Sequence, residues 1–156
     1  MIAYAGCRYI ALIVVLLAMA ACGSQPPVEN SARVDSPGAR AAAAALDQVG
    51  TPYRYGGSTP RGFDCSGLVQ YAYEVAGVNV PRTTGQLWSA VRAVDGTDMR
   101  PGDLLFFSIE GKMSHVGMYV GGRRFVHAPQ SGRTVSVASL DSPFYRRALL
   151  RAGRVY

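Results

Sequence analysis

The apolar residues of this 156-residue chain change their spacing once, and that change limits the fold more than any other feature. Before the segment DGTDMRPGD, apolar side chains recur at helical spacing. After it, the blocks DLLFFSI, HVGMYVG, RRFVHAP and TVSVASL have the length and composition of strands, and RALLRAGRVY can form a last one. Helices followed by strands predict an α+β fold, with N-terminal helices packed on a central antiparallel sheet of about five strands.

Three helices are predicted before the strands. Ser36 can cap the first, over residues 38–49, where a run of alanines favours helix. The second is predicted over residues 64–76. A short third helix is expected to follow Thr83 or Thr84, since a Ser or Thr side chain can cap its first turn.

The N-terminus has the pattern of a bacterial export signal. One arginine precedes an apolar run and then small residues, AMAAC, which resemble a lipobox. We therefore expect a signal peptide over residues 1–21, lipidation of Cys22, a flexible Ser- and Pro-rich tether over residues 22–35, and a folded domain over 36–156. The alternative is an ordinary signal peptide that leaves Cys22 free.

The mature chain is expected to be basic and to lie in the cell envelope. Removing the leader removes one of 16 basic residues and none of the 10 acidic ones, which leaves a net charge of +5. Gly23 rather than an aspartate follows Cys22, so a lipid anchor at the periplasmic face of the outer membrane is expected. The charge favours anionic cell-wall peptides and lipid headgroups, and nucleic acid is a poor partner outside the cell.

Cys65 has no cysteine available for a disulfide once Cys7 leaves with the leader and Cys22 is lipidated. Its place in the first turn of the second predicted helix favours a thiolate, because free backbone N–H groups and the helix dipole stabilise an anion. A nucleophilic thiol also needs a base, and the only histidines are His115 and His127, both in predicted strands.

The two histidines can be aligned by the hairpin that joins their strands. A two-residue loop at Gly121-Gly122 would place the imidazoles on opposite faces of the sheet. A three-residue loop, residues 120–122, makes His115 and His127 direct cross-strand partners on one face. We predict this odd-length loop or a bulge.

A zinc site is the alternative use of the same side chains. Cys65, His115 and His127 are all possible zinc ligands, and three protein ligands with one water form a catalytic pattern. The spacing is not that of a common zinc motif, so no metal and no cofactor are predicted.

Four segments together resemble the NlpC/p60-type cysteine peptidases: TPYRYGGSTPRGFDCSGLVQYAY, VPRTTGQ, RPGDLLFF and SHVGMYVGGRRFVHAP. The resemblance implies a papain-like fold and a thiol hydrolase that cleaves peptidoglycan stem peptides, most often between γ-D-glutamate and a diamino acid. By position, Cys65 resembles the nucleophile, His115 the general base and His127 the residue that orients the base.

Three further residues near the thiol are assigned by the same resemblance. Tyr53 resembles a tyrosine that lies beside the nucleophile, and a core or rim position is its alternative. Asp64 and Ser66 resemble a pair that holds the free amino group of a stem peptide, and capping the helix explains either one equally well. Because a negative charge opposes thiolate formation, Asp64 is not expected to activate Cys65.

The segment VPRTTGQ supplies three more candidates. Thr83 and Thr84 occupy the place of polar residues that line the site, and capping of the third helix is their alternative. Arg82 can meet a substrate carboxylate or only solvent. The aromatic residues of the strands are expected in the core rather than in the site: Phe106, Phe107, Tyr119 and Phe125.

Two other function classes remain open at this stage. An amidase or acyltransferase can use the same fold, and an envelope adaptor can retain it without catalysis. The complete Cys-His-His set favours an enzyme. A regulatory partner in the envelope is possible, but the sequence does not identify it.

Overall fold

The computed structural model describes residues 35–155 of the chain. The predicted leader, the lipidation of Cys22 and all but the last residue of the predicted tether lie outside the described residues. No helix within residues 35–155 is long and apolar enough to span a membrane.

The three predicted helices are present, and side chains cap each of them. Helix α1 covers Pro37–Leu46, helix α2 covers Cys65–Val75 and helix α3 covers Thr84–Ala90. Ser36, Asp64 and Thr83 are their N-caps, and each accepts a hydrogen bond from a backbone N–H of the first turn. Local capping chemistry therefore sets where all three helices begin.

The described residues form a six-stranded antiparallel sheet. Its strands, in chain order, are β3 (Arg92–Val94), β4 (Leu104–Ile109), β5 (Lys112–Gly121), β6 (Arg124–His127), β7 (Ser136–Ser139) and β8 (Leu149–Arg154). Their order across the sheet is β3-β8-β4-β5-β6-β7. Two short strands before α2, β1 (Ser58–Thr59) and β2 (Gly62–Phe63), form a separate antiparallel pair.

Both faces of this sheet are covered, which explains the unbroken apolar run of β4. Leu104 and Phe106 face a cluster that includes α1 and α2, whereas Leu105 and Phe107 face a second cluster that includes Tyr145. Consecutive strand residues point to opposite faces, so a strand that is buried on both sides is apolar at every position. The four aromatic residues assigned to the core are all buried.

The α+β prediction is confirmed, and four elements were not predicted. Strand β3 pairs with β8 and adds a sixth strand to the expected five. A short helix, α4 (Pro143–Ala148), lies between β7 and β8. The pair β1-β2 also went unpredicted. These elements are only two to six residues long, too short to show a hydrophobic period.

Candidate active site

Helix α2 presents Cys65 as its first residue. Asp64 caps the helix, and its Oδ1 accepts a hydrogen bond of 2.7 Å from the backbone N–H of Gly67. The thiol is half-buried, and its sulfur lies 3.8 Å from Oγ1 of Thr84 at the start of α3. The predicted place of the thiol, in the first turn of a helix, is confirmed.

The first turn of α2 is packed against the loop before it at Gly67. A Cβ atom at this position would overlap the carbonyl oxygen of Gly57 and lie 3.0 Å from Oδ1 of Asp64. The Gly57 carbonyl is held in place, because it accepts a hydrogen bond of 3.0 Å from the backbone N–H of Asp64. Glycine at position 67 therefore brings the thiol-bearing turn against this loop.

Replacing Gly67 with alanine is expected to lower the free energy of unfolding by about 3 kcal/mol, because backbone must shift to accept the methyl group. Gly85 in α3 is the matched control. No atom lies within 4 Å of a Cβ added there, so Gly85→Ala is expected to stabilise by up to about 1 kcal/mol. Urea unfolding of both variants measures the difference. Equal stability would contradict the packing described for Gly67.

Arg82 forms a bidentate ion pair with Asp64 beside the thiol. Its two terminal nitrogens lie 2.9 Å from Oδ1 and 2.6 Å from Oδ2. One of them also donates to Oγ of Ser66 at 2.9 Å. The hydrogen bond to Asp64 raises the pKa of Arg82 further above its usual range. The interpretation of Arg82 as a residue that meets only solvent is wrong.

The carboxylate of Asp64 is almost fully engaged by groups of the protein. Besides Arg82 and Gly67, the backbone N–H of Gly56 donates to Oδ2 at 3.0 Å. Oγ of Ser66 also donates to Oδ1, at 3.4 Å. Two carboxylate oxygens offer about four acceptor positions, and these five bonds occupy all of them. The capping role of Asp64 is confirmed. Binding of an amino group by Asp64 and Ser66 stays a prediction, and it requires Arg82 to be displaced.

The two threonines after Arg82 have different roles in the structure. Thr83 caps α3, and its hydroxyl and the side chain of Gln86 form a reciprocal capping box. Its capping role is therefore confirmed, and its side chain is turned to the helix. Thr84 lies beside Cys65, as described above, so Thr84 is the one that lines the candidate site.

Tyr53 lies near the thiol, and both side chains pack against the same hydrophobic cluster. The pKa of its phenol is raised, first by partial burial and then by the nearby charges of Cys65 and Asp64. Its backbone forms a bridge with Phe63, two residues before Cys65. The structure thus places Tyr53 where the resemblance predicted it.

His115 on β5 and His127 on β6 are joined by a hydrogen bond of 2.9 Å between Nε2 of His115 and Nδ1 of His127. Both rings are almost completely buried, with exposed fractions of 7% and 3%. Nδ1 of His115 has no hydrogen-bond partner within residues 35–155. Nε2 of His115 is therefore held by the hydrogen bond to His127, and Nδ1 of His115 is free to accept a proton.

The hairpin between these strands has a bulge, as one form of the prediction required, but its register differs from the predicted one. The loop is Gly122-Arg123, both at positive φ as a tight two-residue turn demands. An irregularity between Tyr119 and Gly121 then adds one residue to β5. The direct pairing of His115 with His127 is wrong. Continuing the register from the Met118–Val126 pair places His127 opposite Gly117.

The bulge nevertheless keeps both imidazoles on one face of the sheet. His115 and Gly117 are two residues apart, so their Cα–Cβ directions are the same. His127 is then the diagonal neighbour of His115, a distance that long side chains can bridge. Gly117 leaves room for the ring of Phe125, which would lie 2.6 Å from a Cβ there and which packs against His127.

Burial keeps the histidine pair neutral. Desolvation lowers the pKa of His115 to about 4. The pKa of His127 is lowered to about 3, first by desolvation and then by repulsion from His115. Both values lie below the usual 6.5, so neither ring carries a charge at neutral pH.

The free energy of unfolding is expected to fall as the pH drops from 6.5 toward 4. In this window the histidines of the unfolded chain are protonated, whereas those of the folded chain stay neutral, so protonation favours unfolding. Above pH 6.5 the pair does not change the free energy of unfolding with pH. By pH 5 each histidine contributes a loss of about 2 kcal/mol, so the pair loses about 4 kcal/mol. Urea unfolding at pH 7.5 and pH 5 measures it. In the variant with both histidines changed to glutamine, the free energy of unfolding should fall less between pH 7.5 and pH 5. An equal fall would contradict the conclusion that the buried histidines are neutral.

Three aromatic side chains surround the histidine pair. The ring of Phe107 contacts His115, and the ring of Phe125 contacts His127. Tyr145 of α4 packs edge-on against His127, with ring centroids 5.5 Å apart. Tyr145 was not predicted from the sequence. No local signal marks it, because it reaches the site through the packing of a six-residue helix.

The structure brings the two histidines together but forms no hydrogen bond between the thiol and either ring within residues 35–155. Helix α2, which begins at Cys65, packs against β5, which carries His115. In the described part of the chain no group of three or more His, Cys, Asp or Glu side chains is arranged to hold a metal ion.

Comparisons with known proteins are consistent with this geometry. The sequence profile described as the NlpC/P60 family matches residues 50–154. The chain is 40% identical over 116 residues to murein DD-endopeptidase MepH of Escherichia coli, covering 70% of this chain and 43% of that protein. It is 37% identical over 111 residues to the gamma-D-glutamyl-L-lysine dipeptidyl-peptidase of Bacillus subtilis, covering 69% and 38%. The chain thus spans less than half the length of these two relatives.

Solved structures with similar folds include the NlpC/p60 domain of the peptidoglycan hydrolase SagA. That structure superposes with a TM-score of 0.66 at 37% identity and covers 76% of this chain and 98% of its own. NlpC2 from Trichomonas vaginalis superposes with a TM-score of 0.71 at 33% identity, covering 77% and 47%.

Proposed function

Because the chain belongs to the NlpC/P60 family, we propose that it is a peptidoglycan hydrolase, a cysteine endopeptidase that cleaves stem peptides with Cys65, His115 and His127. The observation that carries this proposal is the hydrogen bond between the two buried histidines. His115 is carried by β5, and helix α2, which begins at Cys65, packs against that strand. A pair of this kind orients a base for a nucleophile.

The hydrogen bond defines which nitrogens carry protons. If Nδ1 of His115 accepts the proton of the thiol, its Nε2 must carry a hydrogen and donate it to Nδ1 of His127. His127 then carries its own hydrogen on Nε2. This arrangement gives His127 the role of fixing both the tautomer and the orientation of the base.

The reaction proceeds in two halves. The sulfur of Cys65 attacks the amide carbonyl carbon while the thiol proton passes to Nδ1 of His115, and that proton then goes to the leaving nitrogen as the C–N bond breaks. Water next attacks the thioester and gives a proton to His115. The C–S bond breaks, and the sulfur takes that proton back.

This sequence starts from a neutral imidazole, which agrees with the lowered pKa of His115. The approach of the sulfur to Nδ1 belongs to the proposal, since hydrogen bonds of catalytic groups are often longer before substrate binds. The backbone N–H of Cys65, in the first turn of α2, has no acceptor within the helix and can donate to the oxyanion. The phenol of Tyr53, which lies near the thiol, is proposed as a second donor.

The bond proposed for cleavage is γ-D-glutamyl to diamino acid, with meso-diaminopimelate as the diamino acid. The names of the two relatives describe different bonds, so the cleavage products must decide which bond this protein cleaves. Purified sacculi digested by the protein are analysed by mass spectrometry. New N-terminal diamino acids support the proposal. Free muramyl lactyl groups would mark an amidase. A new C-terminal D-alanine with a freed side-chain amine on the diamino acid, and no new N-terminal diamino acid, would mark a DD-endopeptidase.

We further propose that Cys22 is lipidated and holds the domain at the periplasmic face of the outer membrane. The lipobox-like AMAAC and the basic mature charge support this location. Mass spectrometry of the mature N-terminus tests it. An acylated Cys22 is expected, and a free cysteine at that position would contradict it.

A further inference from the structure

Two adjoining cavities open beside the histidine pair, with volumes of about 420 Å³ and 230 Å³. They share the walls His127, Pro129, Gln130 and Tyr145, and the smaller one also reaches His115. We call this space the His127 groove. The proposed mechanism uses the two histidine rings that line the His127 groove, but it gives the groove itself no role.

The His127 groove is lined by one cation and one anion, in separate parts. Arg133 lines the larger cavity and Glu110 the smaller one. No carboxylate of residues 35–155 forms an ion pair with Arg133. The other polar side chains of the larger cavity are uncharged: Gln130, Thr134, Ser136 and Tyr145. Arg133 therefore offers an unused cation inside this space.

Hydrogen bonds fix the position of Arg133 relative to the thiol. Its carbonyl accepts a bond of 2.8 Å from the backbone N–H of Tyr53, and the neighbouring Phe63 N–H donates to Pro52 at 3.1 Å. Three chain segments, 133–135, 51–53 and 62–63, thus lie side by side just before Cys65. At about 4.8 Å per strand, the backbone of Arg133 is roughly 10 Å from the segment that leads to the nucleophile.

The half of the substrate that departs as the amine must lie on the histidine side. His115 gives its proton to the leaving nitrogen, so that nitrogen has to be within reach of the ring. A substrate residue two positions beyond the scissile carbonyl lies about 7 Å from it. The leaving residue and its side chain therefore extend over the His127 groove.

On the basis of the function proposed above, we propose that the His127 groove binds the side-chain end of the diamino acid and that Arg133 binds the carboxylate found there. Diaminopimelate carries a carboxylate and an ammonium at this end, whereas lysine carries the ammonium alone. Arg133 matches the carboxylate, because guanidinium and carboxylate can pair through two hydrogen bonds. Glu110 matches the ammonium that both residues share. Arg133 is thus a specificity-determining residue for diaminopimelate stems.

The test compares two synthetic disaccharide-linked tripeptides that differ only in ending with diaminopimelate or lysine. The wild-type protein is expected to cleave the diaminopimelate peptide with a kcat/KM about tenfold higher. Arg133→Gln should reduce this value to that of the lysine peptide and leave the lysine value within about twofold. Arg92→Gln, which removes the same charge from exposed strand β3, should keep the full discrimination.

Equal cleavage of both peptides by the wild type, or full discrimination by Arg133→Gln, would overturn the inference. Calorimetry of the same peptides binding to Cys65→Ala tests the proposed subsite independently of the proposed cleavage. If the wild type cleaves neither peptide, the proposed cleavage fails. A tighter Kd for diaminopimelate that is lost in the double variant Cys65→Ala/Arg133→Gln would still support the subsite, and equal Kd values would refute it.

Discussion

Cys65→Ala is expected to reduce the rate at which purified sacculi lose turbidity by at least about 10⁴-fold, to the uncatalysed background. The physical reason is that the sulfur supplies the bond-forming electron pair, which the methyl group of alanine cannot replace. The methyl group fits the half-buried space left by the thiol. The variant should therefore unfold within about 1 kcal/mol of the wild type.

Thr84→Val is the matched control for this substitution. It removes the hydroxyl that lies 3.8 Å from the sulfur but leaves the nucleophile in place. It should retain activity within about tenfold of the wild type. Digestion by Cys65→Ala at a tenth of the wild-type rate or faster would refute the thiol as nucleophile.

Replacing His115 with alanine is expected to lower kcat/KM by about 10³-fold, since both proton transfers lose their carrier. His127→Ala should have a smaller effect, about 10- to 100-fold, because it removes only the acceptor that holds His115 Nε2–H. His127→Gln should lie between His127→Ala and the wild type, because an amide oxygen can accept the same hydrogen bond. Steady-state cleavage of a stem peptide measures all three.

The relative size of these effects tests the roles assigned to His115 and His127. If His127→Ala were as damaging as His115→Ala, or His115→Ala nearly neutral, the assigned roles would be wrong. Far-UV circular dichroism of each variant controls for unfolding, since both rings are buried against Phe107 and Phe125. Leu150→Ala, which removes an exposed apolar side chain of β8 outside the His127 groove, is a control that should remain within about tenfold of the wild type.

Local chemistry made the helices and the thiol predictable from the sequence. Asp64 followed by Cys65 is a cap followed by a first turn, and capping depends on residues within three positions of one another. The same applies to Thr83 and α3. The strands β4 to β8 were also foreseeable in outline, because runs of apolar and β-branched residues are an intrinsic strand signal.

Long-range packing set the features that the sequence did not reveal. The register of the β5–β6 hairpin depends on a bulge whose backbone geometry no residue type dictates. Arg82 meets Asp64 across 18 positions, and Tyr145 reaches His127 across another 18, so neither contact leaves a local trace. The parity of the register was nevertheless right, which is why both histidines share one face.

The most direct test of the account is mass spectrometry of the soluble fragments released from purified sacculi by the wild type and by Cys65→Ala, side by side. The account predicts fragments with a new N-terminal diamino acid from the wild type and none above background from the variant. Release of the same fragments by Cys65→Ala would contradict it.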